Sequence, residues 1–301
     1  GARVHIFVPQ PRLVDPARPP SPVVLLNQQI TACKTFAEVL AVYAARRTDP
    51  ALDGANLCTC ISACARRCRE AGPGSAAACL EDAMFTDILE IFGTRLRDIE
   101  PRGLVAATWG LAALRAQQPL LLKRIAWQVH QKVDRLDARQ LANVTWAFAT
   151  LGVKELELSI AGAQLYPSLA ARAVTVMGSF RPQELANVLW AYATLGIRQP
   201  ALFDAAVPAL ISLLEDLNAY DLGQSVWSFS TLRLRNDRLL DAVAERLKQR
   251  RDEHRPINIA NIAWAYAKVA YTDEALYKLL AEEAYGILPR FNAQDVCNVL
   301  W

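Results

Sequence analysis

The chain has 301 residues, 53% of them hydrophobic, and a formal net charge of +3. No apolar run approaches the 18 or so residues needed to cross a bilayer, so no membrane insertion is expected, and a charge this close to balance does not by itself mark a nucleic-acid binder. A single core of this length would be near its upper size, whereas a stacked array, in which each unit touches only its neighbours, has no such limit.

Residues 1–29 read as an extended arm. Pro9, Pro11, Pro16, Pro19, Pro20 and Pro22 stiffen it, and Arg3, Arg12 and Arg18 face only Asp15. A Pro-rich, acid-poor leader is also what remains when an organellar transit peptide is removed. Residues 30–100 read as divergent helical repeats or a cap. TFAEVLAVYAAR (35–46) and ANLCTCISACARR (55–67) align with a phrase found downstream, the second with Thr59 in the place of a tryptophan. Five cysteines lie between Cys58 and Cys79, and Cys60, Cys64 and Cys68 share one helical face. Paired C-x-x-C spacing and a nearby histidine are both missing, so small buried hydrophobes in a reducing compartment are expected rather than a zinc site or a disulfide framework.

From residue 101 a tryptophan recurs. Trp109, Trp146, Trp190, Trp227, Trp264 and Trp301 stand 37, 44, 37, 37 and 37 residues apart, inside phrases such as LANVTWAFATL, LANVLWAYATL and IANIAWAYAKV. A fixed period of this size means one supersecondary unit stacked on copies of itself. Nine residues before each Trp is a helix start: Glu100, Asp137, Arg181, Asn218, Arg255 and Asn292. Asp and Asn are good N-caps, and Pro101, Pro182 and Pro256 suit the first helical position. Gln140, Glu184, Asp221 and Asp295 complete capping-box-like pairs, and Gly152 and Gly196 mark helix ends. Each Trp thus sits midway along a helix of about 13–15 residues, here called helix B. Amphipathic stretches at 200–217, 237–250 and 273–288 supply a second, helix A, and the 44-residue interval adds seven residues within 153–180. The predicted fold is an all-α, right-handed α-solenoid of helical hairpins with a period of 37 residues. The last unit breaks off at Trp301, so the natural protein is expected to continue.

Helix B has two predicted faces. Leu185, Val188, Leu189, Tyr192 and Leu195 form the apolar one. Trp190, Asn187, Thr194, Ala186 and Ala193 form the other. Asn143–Trp146–Thr150, Gln224–Trp227–Thr231 and Asn261–Trp264–Lys268 repeat the second face. These ladders are either glue between repeats or the wall of a groove that holds an extended chain. One position varies on a constant frame, seven residues before each Trp: Arg102, Arg139, Gln183, Tyr220, Ile257 and Gln294. A one-base-per-repeat reader needs such a residue, and an ordinary surface position looks the same. Polyanion binding favours residues 101–198, which carry 11 basic and 5 acidic groups. The basic cluster Arg246, Lys248, Arg250, Arg251 and Arg255 reads as a solvated helix end. His5, His130 and His254 are far apart in sequence, and no phosphate loop, nucleophile set or metal spacing appears, so neither an enzyme nor a cofactor is expected.

ANVTWAFATLG, ANVLWAYATLG, ANIAWAYAKV and the upstream NLCTCISACARR resemble the octotricopeptide repeats of algae and related protists, over roughly residues 30–301. Asn143, Trp146, Asn187, Trp190, Asn261 and Trp264 match that pattern, Gln224 and Ala106 depart from it, and the family's Pro-rich loop is not evident. The resemblance implies an organelle-targeted, RNA-binding protein, in mitochondrion or plastid. Such proteins act in transcript stability, processing or translation, or as RNA-contacting subunits of an organellar ribosome, and many end in a RAP domain. The expected partner is single-stranded or ribosomal RNA, contacted by the variable residues together with Asn143, Asn187, Gln224, Asn261 and Lys268. The alternative is a protein-binding scaffold in a large organellar complex.

Overall fold

The computed structural model describes residues 21–154, 164–249 and 255–300. Among the described residues are sixteen α-helices and no strand. In chain order they begin with α1 (Pro22–Ala32), α2 (Phe36–Arg46), α3 (Gly54–Ala71), α4 (Ser75–Glu81), α5 (Ala83–Arg95), α6 (Pro101–Leu114), α7 (Pro119–Gln131) and α8 (Ala138–Thr150). They continue with α9 (Leu165–Thr175), α10 (Pro182–Leu195), α11 (Pro200–Ser212), α12 (Ala219–Thr231), α13 (Asp237–Gln249), α14 (Pro256–Lys268), α15 (Glu274–Gly286) and α16 (Ala293–Leu300).

The helices form two layers, as a helical solenoid does. In the first, α3, α6, α8, α10, α12, α14 and α16 pack one upon the next; in the second, α7, α9, α11, α13 and α15 do the same. From α6 to α14 the first-layer helices are the Trp-bearing B helices, and the starts of this layer follow from capping chemistry. Asp137 accepts from the Gln140 backbone N–H at 2.8 Å, and the Gln140 side chain accepts from the Asp137 N–H at 3.1 Å. Asn292 and Asp295 repeat the exchange. At Arg181, which has no accepting side chain, Pro182 occupies the first turn and Glu184 accepts from the Arg181 N–H at 3.0 Å. These satisfy backbone donors that a helix start leaves orphaned.

The first layer begins earlier than the sequence suggested. Ser21 caps α1 and Pro22 opens it, so helix replaces the expected extended arm from residue 22; residues 1–20 lie outside the described residues. Asn27 stands six positions after its cap, as Asn143 does after Asp137, and α1 packs on α3. The α2 segment, aligned above with B helices, belongs to the second layer instead and packs on α1, α3 and α5. Without a Trp the apolar spacing of the two helix types is the same, and only packing separates them. The alignment of ANLCT also shifts by one turn. Asp53 caps α3 in a reciprocal box with Asn56, which puts Thr59 at the Asn position and Ser62, not Thr59, at the Trp position.

A B helix proves to have more sides than the two predicted. Leu185, Leu189 and Tyr192 are buried in the core, where the Tyr192 hydroxyl donates to the Tyr166 carbonyl of α9 at 2.7 Å. Tyr266 repeats this tie, donating to Leu240 of α13 at 2.8 Å. Ala186 and Ala193, placed above beside Trp190, are buried as well. They lie where consecutive B helices meet, and their small side chains permit close approach. A close approach to neighbouring backbone is at Gly110 of α6, where a Cβ would sit 3.0 Å from the Ile61 carbonyl oxygen of α3. What remains open is one narrow strip per helix.

Basic side chains join units from the second layer. Arg95 donates to the Leu52 carbonyl at 2.6 Å, Lys132 to Ile99 at 2.7 Å, Arg172 to Leu136 at 2.9 Å and Arg246 to Leu214 at 3.4 Å. Arg246, read above as part of a solvated cluster, is 7% exposed and also pairs with Glu215. It is therefore a structural tie. Arg250 and Arg251 lie outside the described residues.

Cys33, Cys58, Cys60, Cys64, Cys68 and Cys79 are buried and Cys297 is exposed; none is in a disulfide. Burial pushes the Cys60 and Cys68 thiols up to about 12, and thiolate is the reacting form. In native protein at neutral pH, iodoacetamide should therefore modify one thiol per chain quickly, at Cys297, and the rest only in denaturant. Rapid labelling within 58–79, read by mass spectrometry, would contradict this packing.

Candidate nucleic-acid interface

Counting from each N-cap, the open strip of a B helix is made by positions 2, 6, 9 and 13. On α8 these are Arg139, Asn143, Trp146 and Thr150, and on α10 they are Gln183, Asn187, Trp190 and Thr194. On α12 they are Tyr220, Gln224, Trp227 and Thr231, and on α14 Ile257, Asn261, Trp264 and Lys268. The spacing of 4, 3 and 4 residues keeps all of them on one side of a helix with 3.6 residues per turn.

Neighbouring strips run parallel and in register. The Gln224 amide donates to the Ala186 carbonyl at 3.1 Å and to Asn187 Oδ1 at 3.2 Å, which joins position 6 of α12 to position 6 of α10. The rings of Trp227 and Trp264, both at position 9, have centroids 6.4 Å apart with planes tilted by 34°. At the other end of the array a different residue ties the first two helices of the layer: Asn56, three positions after its cap, donates to the Val23 carbonyl and to Asn27 Oδ1, each at 3.0 Å. From α10 to α14 the strips therefore lie side by side in register, each with a tryptophan beside an amide.

The ladder divides the two roles left open by its sequence. Trp109 is 3% exposed and serves the core, with the Arg69 guanidinium 5.9 Å from its ring centroid. Trp146, Trp190, Trp227 and Trp264 are only partly buried, packed on the core along one side. The Lys268 ammonium lies 5.6 Å from the Trp264 centroid, within cation–π range. Trp301 lies outside the described residues.

The predicted contact residues separate likewise. Arg102, Tyr220, Ile257 and Gln294 are exposed; Arg139, Gln183, Asn143, Asn187, Asn261 and Lys268 are half-buried on the strips. Gln224 is 6% exposed with its amide committed to α10, so it ties repeats together and does not face a ligand. The Gln294 amide donates to Asn298 at 2.9 Å, one turn along α16. Burial, and then the Asp221 carboxylate, push the Tyr220 hydroxyl up, which keeps it a neutral hydrogen-bond donor.

Position 13 carries polar atoms with no hydrogen-bond partner among the described residues: Thr150 Oγ1, Thr231 Oγ1 and, on α3, Arg66 Nε. Buried polar atoms of this kind are few in folded proteins. These atoms are enclosed by the packing, so they lie beneath the strip rather than on the surface that a ligand would meet.

Residues 74–301 match the family described as RNA-editing substrate-binding complex 6 protein. The chain belongs to that family. The match takes in α6 to α16 and therefore every Trp-bearing strip. The family's description concerns RNA editing and supports an RNA-related helical protein, the coarser part of the octotricopeptide resemblance. No curated protein matches the chain.

Asn27 was missed by the sequence reading, although a Ser-Pro start six residues before an Asn was the available signal. Cations just past the B helices were missed too. The fifteenth position after each cap has a left-handed backbone, with Gly152 at φ 69° and Gly196 at φ 71°. Arg115 and Arg233 hold the same position at φ 55° and 54°. A side chain costs roughly 1 kcal/mol in this region, where glycine is at ease.

Proposed function

We propose that this chain is a non-catalytic RNA-binding subunit of an RNA-editing complex, working in an organelle. One observation carries the reading: α8, α10, α12 and α14 present partly open tryptophans on one side of the array, beside the half-buried amides Asn143, Asn187 and Asn261. Aromatic faces stack bases without regard to sequence, and amides bond base edges. The family's description adds the RNA-editing setting. Arg139 and Gln183, which vary on a constant frame, are where sequence preference would be set. The organelle, mitochondrion or plastid, and action on stability, processing, translation or ribosomal RNA are what the octotricopeptide resemblance implies.

The protein-scaffold reading draws on Gln224 and Trp109, where the same ladder acts as glue. Filter binding separates the two. Single-stranded RNA should bind more tightly than a duplex of equal length, with affinity falling steeply as salt rises. Absence of RNA binding, together with stable copurification in a protein complex, would establish the scaffold instead.

A further inference from the structure

Because the B helices are parallel and in register, their C-terminal ends form one edge of the array. That edge is basic. Arg115 follows α6, Lys154 follows α8, Arg198 follows α10 and Arg233 follows α12. All four side chains are exposed, and none pairs with a carboxylate among the described residues. The opposite edge is mixed: its N-caps include Asp53, Glu100 and Asp137 as well as Arg181 and Arg255. Arg235 lies near the basic edge but is committed to Asp237 at 2.6 Å and to the Val269 and Ala270 carbonyls.

We propose that this edge is a rail for the phosphodiester backbone of a single-stranded RNA, whose bases lie over the adjacent Trp strips. The inference rests on the RNA-binding function above and adds the direction in which the strand lies. One cation per unit on helices spaced about 8–10 Å apart suits a linear polyanion better than a compact ligand. A cation at a helix end also complements the macrodipole, but that effect fades beyond the last turn. Lys154 and Arg198 lie past the helix ends, at or beyond the left-handed glycines. Arg115 and Arg233 occupy the strained position that Gly152 and Gly196 fill at ease. Ala270, fifteen positions after Arg255, holds the same left-handed backbone at φ 51°, so the position accepts a non-glycine residue whatever its side chain, and the exposed charges rather than the strain carry the inference.

The test uses the whole chain and a uniform oligouridine, which removes base readout, with binding followed by fluorescence anisotropy over a range of salt. The rail variant combines Arg115→Gly, Lys154→Gln, Arg198→Gln and Arg233→Gly. Each lost contact should reduce the slope of log affinity against log salt by about 0.7, with a melting temperature at or above that of wild type, since two of the changes place glycine on a left-handed backbone. The control variant, Arg238→Gln with Lys278→Gln, removes exposed cations from second-layer helices and should leave the slope as it is. An unchanged slope in the rail variant overturns the rail alone, as does an equal loss per cation in the control. Wild-type protein that binds no oligouridine overturns the rail and the RNA-binding reading together.

Discussion

Replacing Gly110 with valine should destabilise the protein by about 3 kcal/mol, toward the upper end of what overpacking costs. The new Cβ would lie 3.0 Å from the Ile61 carbonyl oxygen and 3.1 Å from its carbon. Both are backbone atoms of α3, so no side chain can turn aside, and α3 and α6 must separate. In a stacked array each interface is a nearest-neighbour term. Urea unfolding followed by circular dichroism should therefore split into two transitions, as the units before α6 lose their hold on the rest. Gly178→Ala is the control, because a Cβ there meets nothing within 4 Å. A single transition at the wild-type midpoint in Gly110→Val would contradict the close approach of the two helices.

The second large effect comes from comparing tryptophans that look alike in sequence. Trp109→Ala removes a side chain that is 3% exposed, and burial of that degree costs about 3–5 kcal/mol when truncated to alanine. Trp190 is only partly buried, so Trp190→Ala should cost roughly half as much stability. RNA affinity should respond in the opposite order. Losing one stacking platform weakens binding by about 1–3 kcal/mol, so Trp190→Ala should reduce affinity at least several-fold, while folded Trp109→Ala should bind nearly as wild type. Calorimetry and anisotropy on the same preparations give both quantities. If Trp190→Ala loses stability and leaves RNA affinity unchanged, the open part of the ladder is glue as well, and the scaffold reading gains.

Local chemistry explains how much of this could be read in advance. The starts of α8, α12 and α16 were legible because Asp137, Asn218 and Asn292 satisfy backbone donors within their own turn. The buried faces of α10 and α13 were legible because helical spacing puts Leu185 with Leu189, and Leu239 with Val243, on one side. The same local signals misled at α1, where Pro22 resembled the prolines before it although it opens a helix. They misled again at α2, whose apolar spacing suits either layer.

The sequence by itself determined helical hairpins in series, the caps of the B helices from α6 onward and the side that carries Trp and Asn. All of these rest on interactions within a few residues. Contacts more than thirty residues apart lie beyond such signals, and only the tertiary structure decided them. It assigned α2 to the second layer, spent Gln224 on Asn187 and Arg246 on Leu214, and buried Trp109 while leaving Trp190 partly open. Whether a repeated side chain is glue or surface depends on how closely the next helix approaches, and residues of the neighbouring unit set that distance.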